Sequence, residues 1–544
     1  MGRVWVTAPS LPVLIMRVSR RFYQLVPISF SLVAVVGFSA PAADADPHPP
    51  VRITIEAGEL EGIVEQAGEV HAFKGIPYAA PPVGPLRWKP PMPPAPWAGV
   101  RLAHDFPPRA MQVPVWGDLG RLDSGPSEDC LYLNVWRPTN GEADEKLPVM
   151  FWIHGGGFVA GATSEPRQNG AIMAKKGVVV VSLTYRLGLF GFFAHPELSK
   201  ESRPRASGNY GLMDMVAALE WVRDNIAEFG GDPDNVTIFG QSAGSFAVSM
   251  LMASPMTDGL FHKAIGQSGA ALGSGQVTRK DVEKIGLLFA RDVLGTDSLE
   301  VLRNMPGDQL LQLAGKKRFL PAIDGRFLDN DVVETYEKGQ QKLVPLLAGW
   351  TLDESEEGSL FGRDEPTMMN FRMQAYERFG DNAKGFLSAY RVTNDEEAER
   401  AARDFEGDLF IAHGAWNWLE LHQRTSGRPV FRYRFEQARP LPVNTAQNSG
   451  SRVSHSSDIA YVFGTIDSLN LPWRDEDYAV SQMMMDYWVN FAKNGDPNGP
   501  GLTDWPAYSP QYLYPVMHLR ANPRVTLDDY RDRYEFLGGF LKTL

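Results

Sequence analysis

The pentapeptide Gly240-Gln241-Ser242-Ala243-Gly244 constrains this chain more than any other stretch. It stands between a short β-prone run, residues 235–239 (NVTIF), and a helix-competent run over residues 245–253. A glycine-x-serine-x-glycine between strand and helix marks a turn too sharp for flanking side chains, with the serine Oγ lifted clear of the sheet. Small residues also cluster in ordinary loops, so the strand and the helix on either side carry the reading. Ser242 is then a candidate nucleophile.

The surrounding pattern fits an enzyme core. Residues 147–153 (LPVMFWI) and 177–183 (GVVVVSL) read as buried strands, the first running directly into His154-Gly155-Gly156-Gly157-Phe158. Leu212, Met215, Val216, Leu219, Val222, Ile226 and Phe229 recur at three- and four-residue steps, which predicts an amphipathic helix. The GGDP of residues 230–233 ends it. Strand and helix alternate, which predicts a mostly parallel sheet covered by helices. With 544 residues, 44% of them apolar, the chain can hold a large core. Its net charge of −12 excludes a general nucleic-acid binder, which needs a basic surface. The acidic run 395–397 and the mixed charges after it read as a solvated helix face, and no fixed-period repeat occurs.

The first 45 residues read as an export signal. Arg17, Arg20 and Arg21 precede an apolar stretch over residues 25–40, and APAADA follows at 40–45, an Ala-x-Ala type of cleavage site. Residues 19–23 (SRRFY) loosely resemble a twin-arginine signal, and Met16 offers an alternative start that leaves a leader of ordinary length. The apolar run is short and contains Pro27, which favours cleavage over anchoring, so no stable membrane span is expected. The expected location is exported, periplasmic or secreted. Residues 46–544 are expected to form a single catalytic domain. Cys130 is the only cysteine, so no intramolecular disulfide can form; its expected role is structural.

A serine hydroxyl needs a base, a group that orients the base, and donors for the oxyanion. The amide after the nucleophile, Ala243, can be one donor, and the side-chain-free loop Gly155–Gly157 can supply others. With a chain order of serine, acid, histidine, the base lies after Ser242, leaving His262, His413, His422, His455 and His518. His262 stands in a segment that reads as helix. His455 stands in a polar loop, residues 451–458 (SRVSHSSD), ahead of an apolar element, and is the better placed to reach a site.

Taken together, the motifs resemble the type-B carboxylesterases, a family that includes cholinesterases and bacterial para-nitrobenzyl esterases. The likeness runs from residues 75–84 (GIPYAAPPVG) to Trp505-Pro506, through 127–134 (SEDCLYLN), 154–158 (HGGGF), 185–188 (YRLG), 225–233 (NIAEFGGDP) and the serine turn. The resemblance implies the α/β-hydrolase fold, with helical insertions around an active-site gorge. It implies Ser242 as nucleophile, His455 as base, and Gly156, Gly157 and Ala243 as oxyanion donors. Ser268 matches a serine that supports the triad from behind, and Asp458 belongs to the same motif as His455. For the acid, Glu354 keeps the family's five-residue distance from Gly349, although Ser355 replaces the usual glycine. Glu357, in residues 356–359 (EEGS), imitates the local signature at the wrong distance, so Glu354 is favoured.

Two departures bear on the entrance and the nucleophile. Ala110 stands where the family has a cysteine paired to the one at Cys130, which implies a loop from 110 to 127 that is unstapled, short and mobile. Trp116 within it reads as a packing or acyl-pocket residue, and no cholinesterase is expected. Gln241 stands where many relatives carry glutamate, which removes a charge beside the nucleophile. The implied function is hydrolysis of carboxylic esters through an acyl-enzyme, with a small-molecule ester and water as partners and no metal or cofactor. A hydrolase specialised for a bulky ester (polyester, mycotoxin or pesticide) is the alternative. A non-catalytic interaction protein on the same fold is a remote one, since serine and histidine are both retained. No sequence pattern sets an oligomeric state.

Overall fold

A computed structural model describes residues 50–542, except 116–119, 141–145, 274, 356–358, 363 and 443–451. The expected leader and Met16 lie outside the described residues, as do Trp116 and Glu357.

The chain opens with β1 (Val51–Ile55), β2 (Gly58–Glu65) and β3 (Val70–Pro77), an antiparallel ribbon, with β4 (Val100–Leu102) alongside β2. Two short strands, β5 (Arg109–Ala110) and β6 (Pro126–Ser127), pair with each other. Next come β7 (Tyr132–Pro138), β8 (Leu147–Ile153), β9 (Val179–Leu183), β10 (Gly231–Gln241) and β11 (Lys263–Gln267). β12 (Leu346–Thr351), β13 (Val430–Phe435), β14 (Pro515–Leu519) and β15 (Arg524–Leu527) complete the set. Among the described residues thirteen strands form one sheet in the order β1-β2-β3-β7-β9-β8-β10-β11-β12-β13-β14-β15, with β4 beside β2. Every pairing from β9 to β14 is parallel. The two flanks are antiparallel.

The hydrophobic runs are continuous because both faces of the parallel strands are covered. In β8, Val149, Phe151 and Ile153 enter one core cluster with the helix Tyr210–Asn225, and Met150 and Trp152 enter another with the helix Asp475–Asn494. That alternation is the two-residue period of a strand set between two layers. The expected charged helix is Asp395–Gly407; it buries Ala398, Ala401, Ala402 and Phe405 and leaves the acidic residues 395–397 in solvent. It belongs to a group of helices over residues 368–426 whose aromatic cluster, built on Phe371, Phe379, Phe386 and Phe405, is separate from the two sheet cores.

One local expectation fails. His262 is not helical: the helix Ala243–Ala253 stops ahead of Pro255, and His262 lies in the loop entering β11, where its Nδ1 accepts a hydrogen bond from Val236 N at 3.1 Å. The cause is Pro255, which cannot continue a helix.

The YRLG segment after β9 is held by a buried ion pair. Asp214, inside the helix Tyr210–Asn225, accepts from Arg186 Nη2 at 2.6 Å, from Nε at 2.8 Å and from the backbone N at 3.0 Å. Both side chains are buried, so removing the carboxylate strands a guanidinium. Asp214→Ala should destabilise the fold by about 3–5 kcal/mol, read as a lowered urea midpoint at unchanged slope.

Candidate active site

The carboxyl ends of β8, β10, β11, β12 and β13 open on the same edge of the sheet, where ligands of parallel α/β sheets bind. At the centre, β10 ends in Gln241 and the helix Ala243–Ala253 starts immediately after Ser242. Ser242 has φ 54° and ψ −124°, a conformation that a residue with a side chain adopts only under strain. The flanking glycines follow from close approach. A Cβ on Gly240 would lie 2.6 Å from Gly244 C, and one on Gly244 would collide with the carbonyl of Ile153 at the end of β8. The turn thus lifts the half-buried Ser242 side chain out of the sheet, above the free amides of the helix's first turn, Ala243 among them.

The glycine loop after β8 faces this turn. Gly156 and Gly157 take φ of 112° and 61°, and among the described residues neither amide donates a hydrogen bond. Val159 N and Ala160 N both bond to Gly156 O at 3.0 Å, curling the loop. His154 braces it from below. Burial lowers its pKa to about 4, so it is neutral; its ring stacks on Tyr185 at 4.5 Å, and Tyr185 Oη donates to His154 O at 2.8 Å.

Sequence reasoning missed a clamp on this loop. Gln112 Nε2 donates to Gly161 O at 2.8 Å while its Oε1 accepts from Gly161 N at 3.0 Å. Gln112 belongs to the segment Ala110–Ser127, expected to be mobile for want of a disulfide, and its described ends carry further bonds. β5 and β6 join its ends, Asp123 pairs with Arg109 and accepts from Ser164 Oγ at 2.5 Å, and Leu122 N bonds to Ser164 O at 3.2 Å. Ala110 and Cys130 are both buried, so packing and hydrogen bonds stand in for the missing covalent link.

On the other flank, Glu354 and His455 meet. Glu354 is buried just beyond β12; its Oε1 accepts from Thr351 N at 2.7 Å and its Oε2 lies 2.5 Å from His455 Nδ1. The two loops are tied one residue away. Asp353 pairs with Ser454 as in a parallel ladder, Asp353 N bonds to Val453 O at 3.1 Å, and Val453 N returns a bond to Asp353 Oδ2 at 2.9 Å. Burial pulls the His455 pKa down, but the adjoining Glu354 carboxylate outweighs it and leaves the imidazole above its ordinary 6.5.

With Nδ1–H directed at the carboxylate, His455 Nε2 carries the lone pair, and Gln241 Nε2 approaches it at 3.3 Å. The structure therefore links Glu354 to His455 and sets His455 against the residue preceding Ser242, while no hydrogen bond joins His455 to Ser242 among the described residues. Such bonds are commonly loose before substrate enters. Gln241, where many relatives carry glutamate, thus touches the imidazole itself.

Ser268 and Asp458 lie beneath. Ser242 N bonds to Gln267 O at 2.9 Å and Ser268 N to Gly349 O at 2.8 Å, so the end of β11 joins the serine turn to β12. Asp458 is fully buried and accepts from Gln267 Nε2 at 2.9 Å and Tyr433 Oη at 3.1 Å. Burial raises its carboxyl above the usual range. It packs behind the histidine loop rather than contacting the imidazole. His413, His422 and His518 lie elsewhere: His422 bonds to Val344 O at 2.8 Å and His518 to Glu436 at 2.7 Å.

A sequence profile described as the carboxylesterase family matches residues 49–537. The chain is 37% identical to fumonisin B1 esterase of Sphingopyxis macrogoltabida over 493 residues, 86% of each protein. It is 35% identical to carboxylesterase 1E of Mus musculus, over 89% of this chain and 92% of that one. Among solved structures, a PNB esterase superposes with a TM-score of 0.75 at 33% identity, covering 89% of this chain and 99% of its own.

Glu354→Gln removes the main charge that raises His455, leaving burial and Arg167 to lower it against Asp458 alone. The imidazole should then titrate below 6.5 instead of above it, followed by NMR of the histidine-labelled protein.

Proposed function

We propose, from the premise that this chain belongs to the carboxylesterase family and hydrolyses carboxylic esters, that it does so through Ser242, His455 and Glu354. The observation that carries the reading is the pairing of His455 Nδ1 with Glu354 Oε2, which fixes the tautomer whose lone pair faces the serine turn. An arriving ester displaces the Gln241 amide's hold on Nε2, and Ser242 Oγ takes its place. As Oγ attacks the carbonyl carbon, Nε2 takes the hydroxyl proton and Glu354 stabilises the imidazolium. The carbonyl oxygen becomes an oxyanion held by the amides of Gly156, Gly157 and Ala243; one such donor is typically worth about 3–4 kcal/mol. Collapse breaks the ester C–O bond, and the imidazolium returns its proton to the leaving alkoxide. Water, deprotonated by the same nitrogen, then releases the acid and restores Ser242. Ser268 and Asp458 support this set from behind.

A bulky ester is the second reading of the substrate. What favours it is the 37% identity to an esterase named for fumonisin B1. The export reading rests on the basic, apolar and Ala-x-Ala order of the first 45 residues. Among the described residues no helix is long and apolar enough to cross a membrane.

Ser242→Ala should abolish hydrolysis of short para-nitrophenyl esters with an unchanged melting curve, and a fluorophosphonate probe should label the native protein but not the variant. Substantial turnover by the variant refutes the mechanism. Expression of the full chain in a bacterial host should yield an exported protein whose amino terminus, read by Edman degradation, begins near residue 46.

A further inference from the structure

The helix group over residues 368–426 meets the triad at Gly407, which packs on Glu354, and at the π-turn that follows it, which meets His455. Residues Asp408–Ala412 form this turn between the helices Asp395–Gly407 and His413–Ser426, an extra-residue bulge of the kind that re-aims side chains. It is seated firmly. A Cβ on Gly407 would lie 3.3 Å from Glu354 Cβ, and Tyr390 Oη donates to the buried Asp408 at 2.8 Å. Ile411 and Ala412 are buried as well. Phe410 alone is thrown outward: it is 54% exposed, and its ring centre lies 5.3 Å from that of His455, tilted by 56°. A large apolar ring held open beside the base, on a turn otherwise packed into the fold, is placed to meet an apolar part of the substrate.

The chemistry says which half of the ester lies there. The carbonyl oxygen points at Gly156, Gly157 and Ala243, whereas the leaving oxygen must sit by His455 Nε2 to receive its proton. A ring packed on the imidazole therefore borders the alcohol and not the acyl chain. We propose that Phe410 is the wall of the alcohol site and selects esters of neutral aromatic and other bulky apolar alcohols. This rests on the triad reading above.

The test holds the acyl group constant and varies the alcohol: benzyl, cyclohexylmethyl and ethyl butyrate, with acid release followed by pH-stat. An aromatic contact of this kind is worth up to about tenfold in rate, so Phe410→Ala should lower the benzyl-to-ethyl ratio of kcat/KM by roughly tenfold and Phe410→Leu by about threefold. The order of preference along an ethyl acetate-to-octanoate series should stay as in the native enzyme. Equal losses on all three alcohols overturn the proposal and reduce Phe410 to a support for His455. A shift along the acyl series instead overturns it by placing the ring on the other side. Ser242→Ala, run in parallel, separates the two readings: persistent turnover there defeats the triad, whatever the ratios.

Discussion

The site depends on a two-residue tie, Asp353 against Val453 and Ser454. Glu354 and His455 are 101 positions apart, and the segments that carry them leave neighbouring strands, β12 and β13, with a long excursion between the second strand and the histidine. Parallel pairing sets where those strands end, but it does not aim the loops beyond them. The ladder-like contact at Asp353 and Ser454 extends the register past the sheet, so the next residue on each side is brought to the other within hydrogen-bond reach. Everything electrostatic at the imidazole follows from that geometry: the tautomer, the elevated pKa and the direction of the lone pair.

Backbone strain is concentrated at the same edge. Ser242, Ser268 and Ser456 all have positive φ, 54°, 54° and 67°, where a side chain typically costs about 1–3 kcal/mol. Each stands at the end of a strand or beside the histidine, and each is restrained by long-range bonds: Ser242 N to Gln267 O, Ser268 N to Gly349 O, and Arg439 to Ser456 O and Ser457 O. The large parallel core supplies the rigidity that makes three such turns tenable. A smaller sheet would relax them and lose the alignment.

What could be read from the sequence was whatever is local. The serine turn is legible because Gly240 and Gly244 are needed by contacts within the turn and with the adjacent strand, and the period-two strands and the amphipathic helix leave direct hydrophobic patterns. The parallel sheet and family membership followed from these. Only its loop distinguishes His455 among the five histidines, and the helical run ahead of His262 masks the stop imposed by Pro255. The clamp by Gln112, the contact of Gln241 with the imidazole and the outward Phe410 had no local signal. Each pairs residues tens to hundreds of positions apart, and the π-turn that aims Phe410 is invisible to a pattern matched at 3.6 residues per turn.

The described ends of the entrance segment, residues 110–127, are held without a covalent link. Its closure uses the Arg109–Asp123 pair, the two-way grip of Gln112 on Gly161 and a buried, unpaired Cys130, in a chain with no other cysteine. Nothing in that arrangement can be reduced or needs to be oxidised. Maturation of this fold is therefore independent of thiol chemistry: the same entrance forms with or without an oxidant, and no disulfide-forming helper is required on whichever side of a membrane the chain folds.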